Sequence, residues 1–146
     1  MALTSKPLGH SDDSGFEFIQ ELLNGDPTAA INFDRLQKHP KFGYQIFELL
    51  LCAESQPRVT PWTSHPNKYW HKNSRKFISL FEAAKALDAQ LYLVNYAKRG
   101  TKHEDEVRLI KVLEIDPSCG ITKQESKNLS RSEFAEWFRN LNKECL

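Results

Sequence analysis

The chain has 146 residues, enough for one domain whose core hides roughly two-thirds of the unfolded surface. Hydrophobic residues make up 40% and charged ones 27%, a balance that excludes a wholly disordered chain. With 20 basic and 19 acidic side chains the net charge is +1, which excludes coating of nucleic acid by bulk charge but not a local basic patch.

Cys52, Cys119 and Cys145 form no C-x-x-C pair, so neither a disulfide framework nor a structural zinc site is expected. No apolar run approaches the ~18 residues of a membrane span, and the first residues lack a leader's apolar stretch. A cytoplasmic protein without a membrane partner is the expectation.

Residues 1–13 are polar, with Pro7 and Gly9, and read as a flexible tail ahead of a single domain over 14–146. Ser14 and Glu17 make a capping-box pattern before a helix over Gly15–Asn24, which Gly25 and Pro27 stop. Ala29–Leu36 alternates apolar and polar residues as a strand does. After a turn at Pro40 and Gly43, Tyr44–Ala53 is an apolar run, read as a strand covered on both faces and paired to the first as a hairpin. Glu48 is the only charge inside that run.

A loop is expected over Ser55–Asn73. Phe77, Leu80, Phe81, Ala84 and Leu87 then recur at helical spacing. Gln90–Lys98 and Val107–Asp116 read as strands, joined by the mixed-charge turn RGTKHEDE. Residues 117–128 show no periodicity and are expected to be irregular. A second capping box, Ser130 with Glu133, opens a last helix carrying Phe134, Trp137, Phe138 and Leu141. The expected architecture is α/β, with one central mixed sheet and helices on both faces.

A charge within an apolar run is costly unless paired or metal-bound, which singles out Glu48. Asp34 stands fourteen residues earlier, across the turn, as hairpin partners do. From Lys68 to Lys76 the chain reads KYWHKNSRK, with no acid. Tyr69 and Trp70 among Lys68, Lys72 and Arg75 are the chemistry of base stacking beside phosphate contacts. The same aromatics equally suit a loop that closes over a core. His65, His71 and His103 match no metal-ligand spacing.

The order of elements, with Asp34 in NFDR and Glu48 in IFELLLCAE, resembles the PD-(D/E)XK, or restriction-endonuclease-like, superfamily over about residues 16–116. The resemblance implies a magnesium ion held by Asp34 and Glu48, hydrolysis of a nucleic-acid phosphodiester, and a catalytic lysine. Leu50 occupies the motif's lysine position, so the resemblance passes that role to Lys76 on the following helix, with Lys72 as second candidate. Glu17 or Glu21 is a further candidate acid. Lys68, Tyr69, Trp70, Lys72 and Arg75 would contact the nucleic acid. A chain of this size would reach both strands of a duplex as a homodimer. The alternative is a non-catalytic interaction module, a partner subunit or inhibitor of a larger enzyme, whose Trp/Tyr-rich loop binds protein.

Overall fold

The computed structural model describes residues 13–146, and the chain divides after Ile31 into two units. The first holds α1 (Ser14–Leu23). Its N-cap is Asp13, whose side chain makes no capping bond. The Ser14–Glu17 box therefore does not form as expected, and the Glu17 amide donates to the Asp13 carbonyl. Asn24 ends the helix in the left-handed conformation. Phe16, Ile19 and Leu22 share one stripe of α1, and all three are exposed. The expected flexible tail, residues 1–13, lies outside the described residues apart from Asp13.

The second unit, Asn32–Cys145, is an α/β sandwich. Its elements are β1 (Arg35–His39), β2 (Gly43–Leu51), α2 (Trp70–Ala86), β3 (Gln90–Tyr96), β4 (Glu106–Asp116), β5 (Gly120–Ser130) and α3 (Arg131–Cys145). The five strands lie in chain order. Neighbours are antiparallel except β2 and β3, which run parallel because α2 carries the chain back between them.

The long apolar run becomes β2, and it is covered on both faces as expected. Ile46 and Phe47 are each 0% exposed and point to opposite sides. On one side Ile46, Leu93 and Ile110 pack against Trp70, Phe77, Leu80 and Ala84 of α2. On the other Phe47, Tyr92, Val94 and Leu109 meet Phe134, Trp137, Phe138 and Leu141 of α3. The Ser130–Glu133 capping box does form: the Ser130 amide donates to Glu133 at 2.8 Å and the Glu133 amide to Ser130 Oγ at 3.1 Å.

Three expectations are corrected. The first strand is Arg35–His39, not Ala29–Leu36. The Pro40–Phe42 turn fixes His39 opposite Gly43, so the polar residues RLQKH fall on the ladder, whereas Ile31 and Phe33 are exposed outside it. The expected loop Ser55–Asn73 ends early, because a 3-10 turn at Pro66–Tyr69 leads into α2 at Trp70. The segment 117–128, expected to be irregular, contains most of β5, an eleven-residue edge strand. The strand exists because β4 offers it a full antiparallel ladder, and a backbone ladder needs no apolar side chains.

Candidate functional site

Alternation along β2 puts Ile46, Glu48 and Leu50 on the α2 side of the sheet. Glu48 sits opposite Leu93, itself fully buried, and is only 6% exposed. Asp34 lies one residue before β1, beyond the Arg35–Phe47 pair. Its amide donates to the Phe47 carbonyl at 3.1 Å, which extends the ladder by one step and brings its carboxylate beside Glu48. Asp34 Oδ2 then accepts the Leu49 amide at 2.7 Å. Lys76, from the second turn of α2, places Nζ 3.5 Å from Glu48 Oε2. Asp34, Glu48 and Lys76, fourteen and twenty-eight residues apart in sequence, are therefore adjacent in space.

The electrostatics follow from this placement. Burial pushes the Glu48 carboxyl up to about 7, and its hydrogen bond with Asp34 acts in the same direction, against the pull of the Lys76 ammonium. The same hydrogen bond holds the Asp34 carboxyl below its ordinary value, helped by the Leu49 amide and by Lys76 and opposed by burial. Below about pH 7 the pair thus carries one shared proton, with Glu48 as its donor and Asp34 as the acceptor.

Leu50 packs against the α2-side core. It leaves the cation to come from α2, whose Lys76 amine is partly exposed and reaches Glu48. No third His, Cys, Asp or Glu joins the two acids among the described residues. Glu17 and Glu21 belong to α1, in the other unit.

The basic, aromatic stretch is distributed differently. Trp70 is 5% exposed, stacks on Phe77 at 5.9 Å, and donates its indole N–H to the Pro117 carbonyl at 3.0 Å. Tyr69 also packs on this core, and burial raises its hydroxyl pKa. These two rings are occupied in the interior. Lys68 turns back to donate to the Thr63 carbonyl at 2.7 Å. Lys72 and Arg75 are exposed on the first turns of α2, near Lys76 in sequence.

The loop before α2 is a pinned strap. Asn95, buried in β3, donates to the carbonyls of Pro61 and Ser64. Arg108 also donates to Ser64, and the Trp62 indole donates to Leu129. His65 Nδ1 accepts the Asn67 amide, so Nε2 carries the proton that it donates to Gln124 at 2.6 Å. The sequence signal for this role was present in the polar partners Asn67, Asn95 and Gln124, but nothing in their spacing announces which carbonyls they serve.

No protein-family model, no curated protein and no solved structure matches the chain.

Proposed function

We propose that the chain is a metal-dependent nuclease of the PD-(D/E)XK type, or a nucleic-acid-binding descendant of one. A single observation carries this reading: Asp34, Glu48 and Lys76 meet on one side of the sheet, from a hairpin and the helix that follows it. A buried acid sharing a proton with its neighbour is an arrangement in which a cation can replace that proton.

The donor set fits magnesium. Magnesium takes hard oxygen ligands and is commonly held by one or two carboxylates, with waters and substrate phosphate completing its shell. Asp34 and Glu48 would supply the protein's share. When bound, the ion supplies Lewis acidity toward the phosphoryl oxygen and a more acidic water.

The chain's own residues do the rest. The Leu49 amide fixes Asp34, so its carboxylate needs no reordering. Glu48 would have to give up its proton to act as a ligand, and the Lys76 ammonium, 3.5 Å away, would offset part of the charge left behind. The Lys76 ammonium is positioned to hold a water by hydrogen bond and to offset negative charge that develops on phosphate. Lys72 and Arg75 hold the neighbouring backbone phosphates.

The deciding experiment is incubation of labelled DNA and RNA with magnesium or manganese, using Glu48→Gln and Asp34→Asn as controls. Cleavage that both substitutions abolish supports the reading, and cleavage unchanged in Glu48→Gln removes it.

One observation favours the non-catalytic alternative. Phe16, Phe18, Ile19 and Leu22 of α1 are all at least 49% exposed, which suits an amphipathic helix that engages a protein partner. Absence of cleavage in both metals, together with retained nucleic-acid binding that Lys72→Glu and Arg75→Glu abolish, would select the binding form. Loss of both would select the interaction module.

A further inference from the structure

Ligands of open α/β sheets favour the carboxyl ends of parallel strands. Among the described residues the only parallel pair is β2 and β3, and a cavity of about 250 Å³ lies just past their carboxyl ends. Its walls include Val59, Pro57 and Pro61, which are apolar and rigid, and Ala97 just beyond β3. Its polar lining is Cys52, Glu54, Gln56, Thr101, Lys102 and His103.

Two of those groups, His103 and Glu54, offer acceptors. His103 Nδ1 donates to Glu106 Oε2 at 2.7 Å, so the neutral ring keeps its lone pair on Nε2, which has no partner among the described residues. Glu106 is itself fixed where the strap meets β4, through the Trp62 amide at 3.4 Å. The Glu54 carboxylate, exposed at the rim, receives only the Lys102 amide, at 3.4 Å through Oε1. Lys102 Nζ supplies the one free cation among the lining groups. The Cys52 thiol donates to the Val59 carbonyl at 3.6 Å, and burial, with the nearby Glu106 charge, raises its pKa. Cys52 is therefore a wall of this cavity and not a nucleophile in it.

We infer that this cavity is a base-binding pocket that takes a guanine. The ring N1–H of guanine and its adjacent exocyclic amino group match the two oxygens of Glu54, its carbonyl suits the Lys102 ammonium, and its flat faces suit walls of proline and valine. Uracil and thymine present two carbonyls and one N–H, which leaves the carboxylate facing an acceptor. Cytosine offers an amino group but no neighbouring ring N–H. The pocket is placed to read a nucleotide beside the cleavage site: Cys52 is four strand residues from Glu48, about 13 Å along the sheet. The choice of a nucleobase as ligand rests on the nuclease-like reading above.

Mononucleotides test the pocket without any cleavage. The full chain in EDTA is titrated with GMP, AMP, CMP and UMP, and binding is read by calorimetry and by amide shifts in nuclear magnetic resonance. GMP should bind about tenfold tighter than CMP or UMP, with shifts centred on residues 52–61 and 97–103. Glu54→Gln, an exposed substitution that retains the Lys102 contact, should remove that preference with an unchanged melting temperature. Equal affinities, shifts elsewhere, or an unaltered preference in Glu54→Gln would overturn the inference. The two readings fail separately. GMP selectivity without metal-dependent cleavage leaves the pocket standing and removes the nuclease. Glu48-dependent cleavage by a protein that binds no mononucleotide removes the pocket and leaves the nuclease.

Discussion

Asp34 and Glu48 share a hydrogen bond between carboxyl groups at the open end of the β1–β2 hairpin, one exposed and one buried. That pair makes folding stability depend on pH in a defined direction. Glu48 ionises near 4.5 when unfolded and at about 7 when folded, so the folded state binds the extra proton between those values. Its contribution is fully present below pH 4.5 and is lost as pH rises through 7. In EDTA, Glu48→Gln should therefore match the wild type near pH 4.5 and exceed it at pH 8 by about 1–3 kcal/mol. Urea unfolding at the two pH values measures this. A variant less stable than wild type at pH 8 would show that the buried carboxylate is not a cost.

Lys76 separates a structural cation from a working one. If it only offsets Glu48, Lys76→Met raises the Glu48 pKa further and lowers stability slightly at pH 8. If it also serves the reaction, the same change should lower kcat by about 100-fold or more, with little change in KM. Lys76→Arg should recover the Glu48 pKa but only part of the rate, because a planar guanidinium cannot replace a compact ammonium. Single-turnover cleavage and a carboxyl titration by nuclear magnetic resonance distinguish the two roles.

Much of this arrangement was legible in the sequence, and the reasons are local. Glu48 stood out because one charge in YQIFELLLCA has to be accounted for wherever the strand is buried. Helix α3 was legible because Ser130 and Glu133 carry their own cap and Phe134, Trp137, Phe138 and Leu141 carry the period. The strand β5 was not, because GITKQESKNLS buries only Gly120 and Ile121 and its stability comes from the β4 ladder. The start of α2 was obscured for the opposite reason. WHKN looks like a loop by composition, yet Trp70 is buried there by tertiary contacts that no window of sequence contains. The meeting of Lys76 with Glu48 depends on how α2 lies across the sheet, so spacing alone could not supply it.

His65 should titrate low. Burial is the main cause, and the charges of Arg108 and Lys68 add to it, while the bond to Gln124 opposes it. Protonation would also make Nδ1 unable to accept the Asn67 amide. The unfolded chain then binds a proton below pH 6.5 that the folded one refuses, so stability falls as pH drops below 6.5. His65→Asn, which retains an acceptor at the cap, should flatten that slope. An imidazole resonance midpoint at or above 6.5 in the native protein would contradict the argument.

Asn67 and Gly120 form the joint on which β5 depends. The Asn67 side chain accepts the Ile121 amide at 2.8 Å and donates to the Ile121 carbonyl at 2.9 Å, as a neighbouring strand would. Gly120, at φ +118, leaves room for that amide group, and a Cβ there would run into Asn67 Oδ1. Gly120→Ala should cost about 2 kcal/mol or more, from the strained backbone and the displaced amide together. Asn67→Ala should cost about 2 kcal/mol by leaving two backbone groups without a partner. The two losses should not add. Once Asn67 is truncated, the alanine methyl at 120 meets nothing rigid and only the backbone strain remains, so the double variant should be about 1 kcal/mol more stable than the sum predicts. Chemical denaturation of the four proteins measures that coupling, and strict additivity would mean that the strap and β5 are held together by something other than this contact.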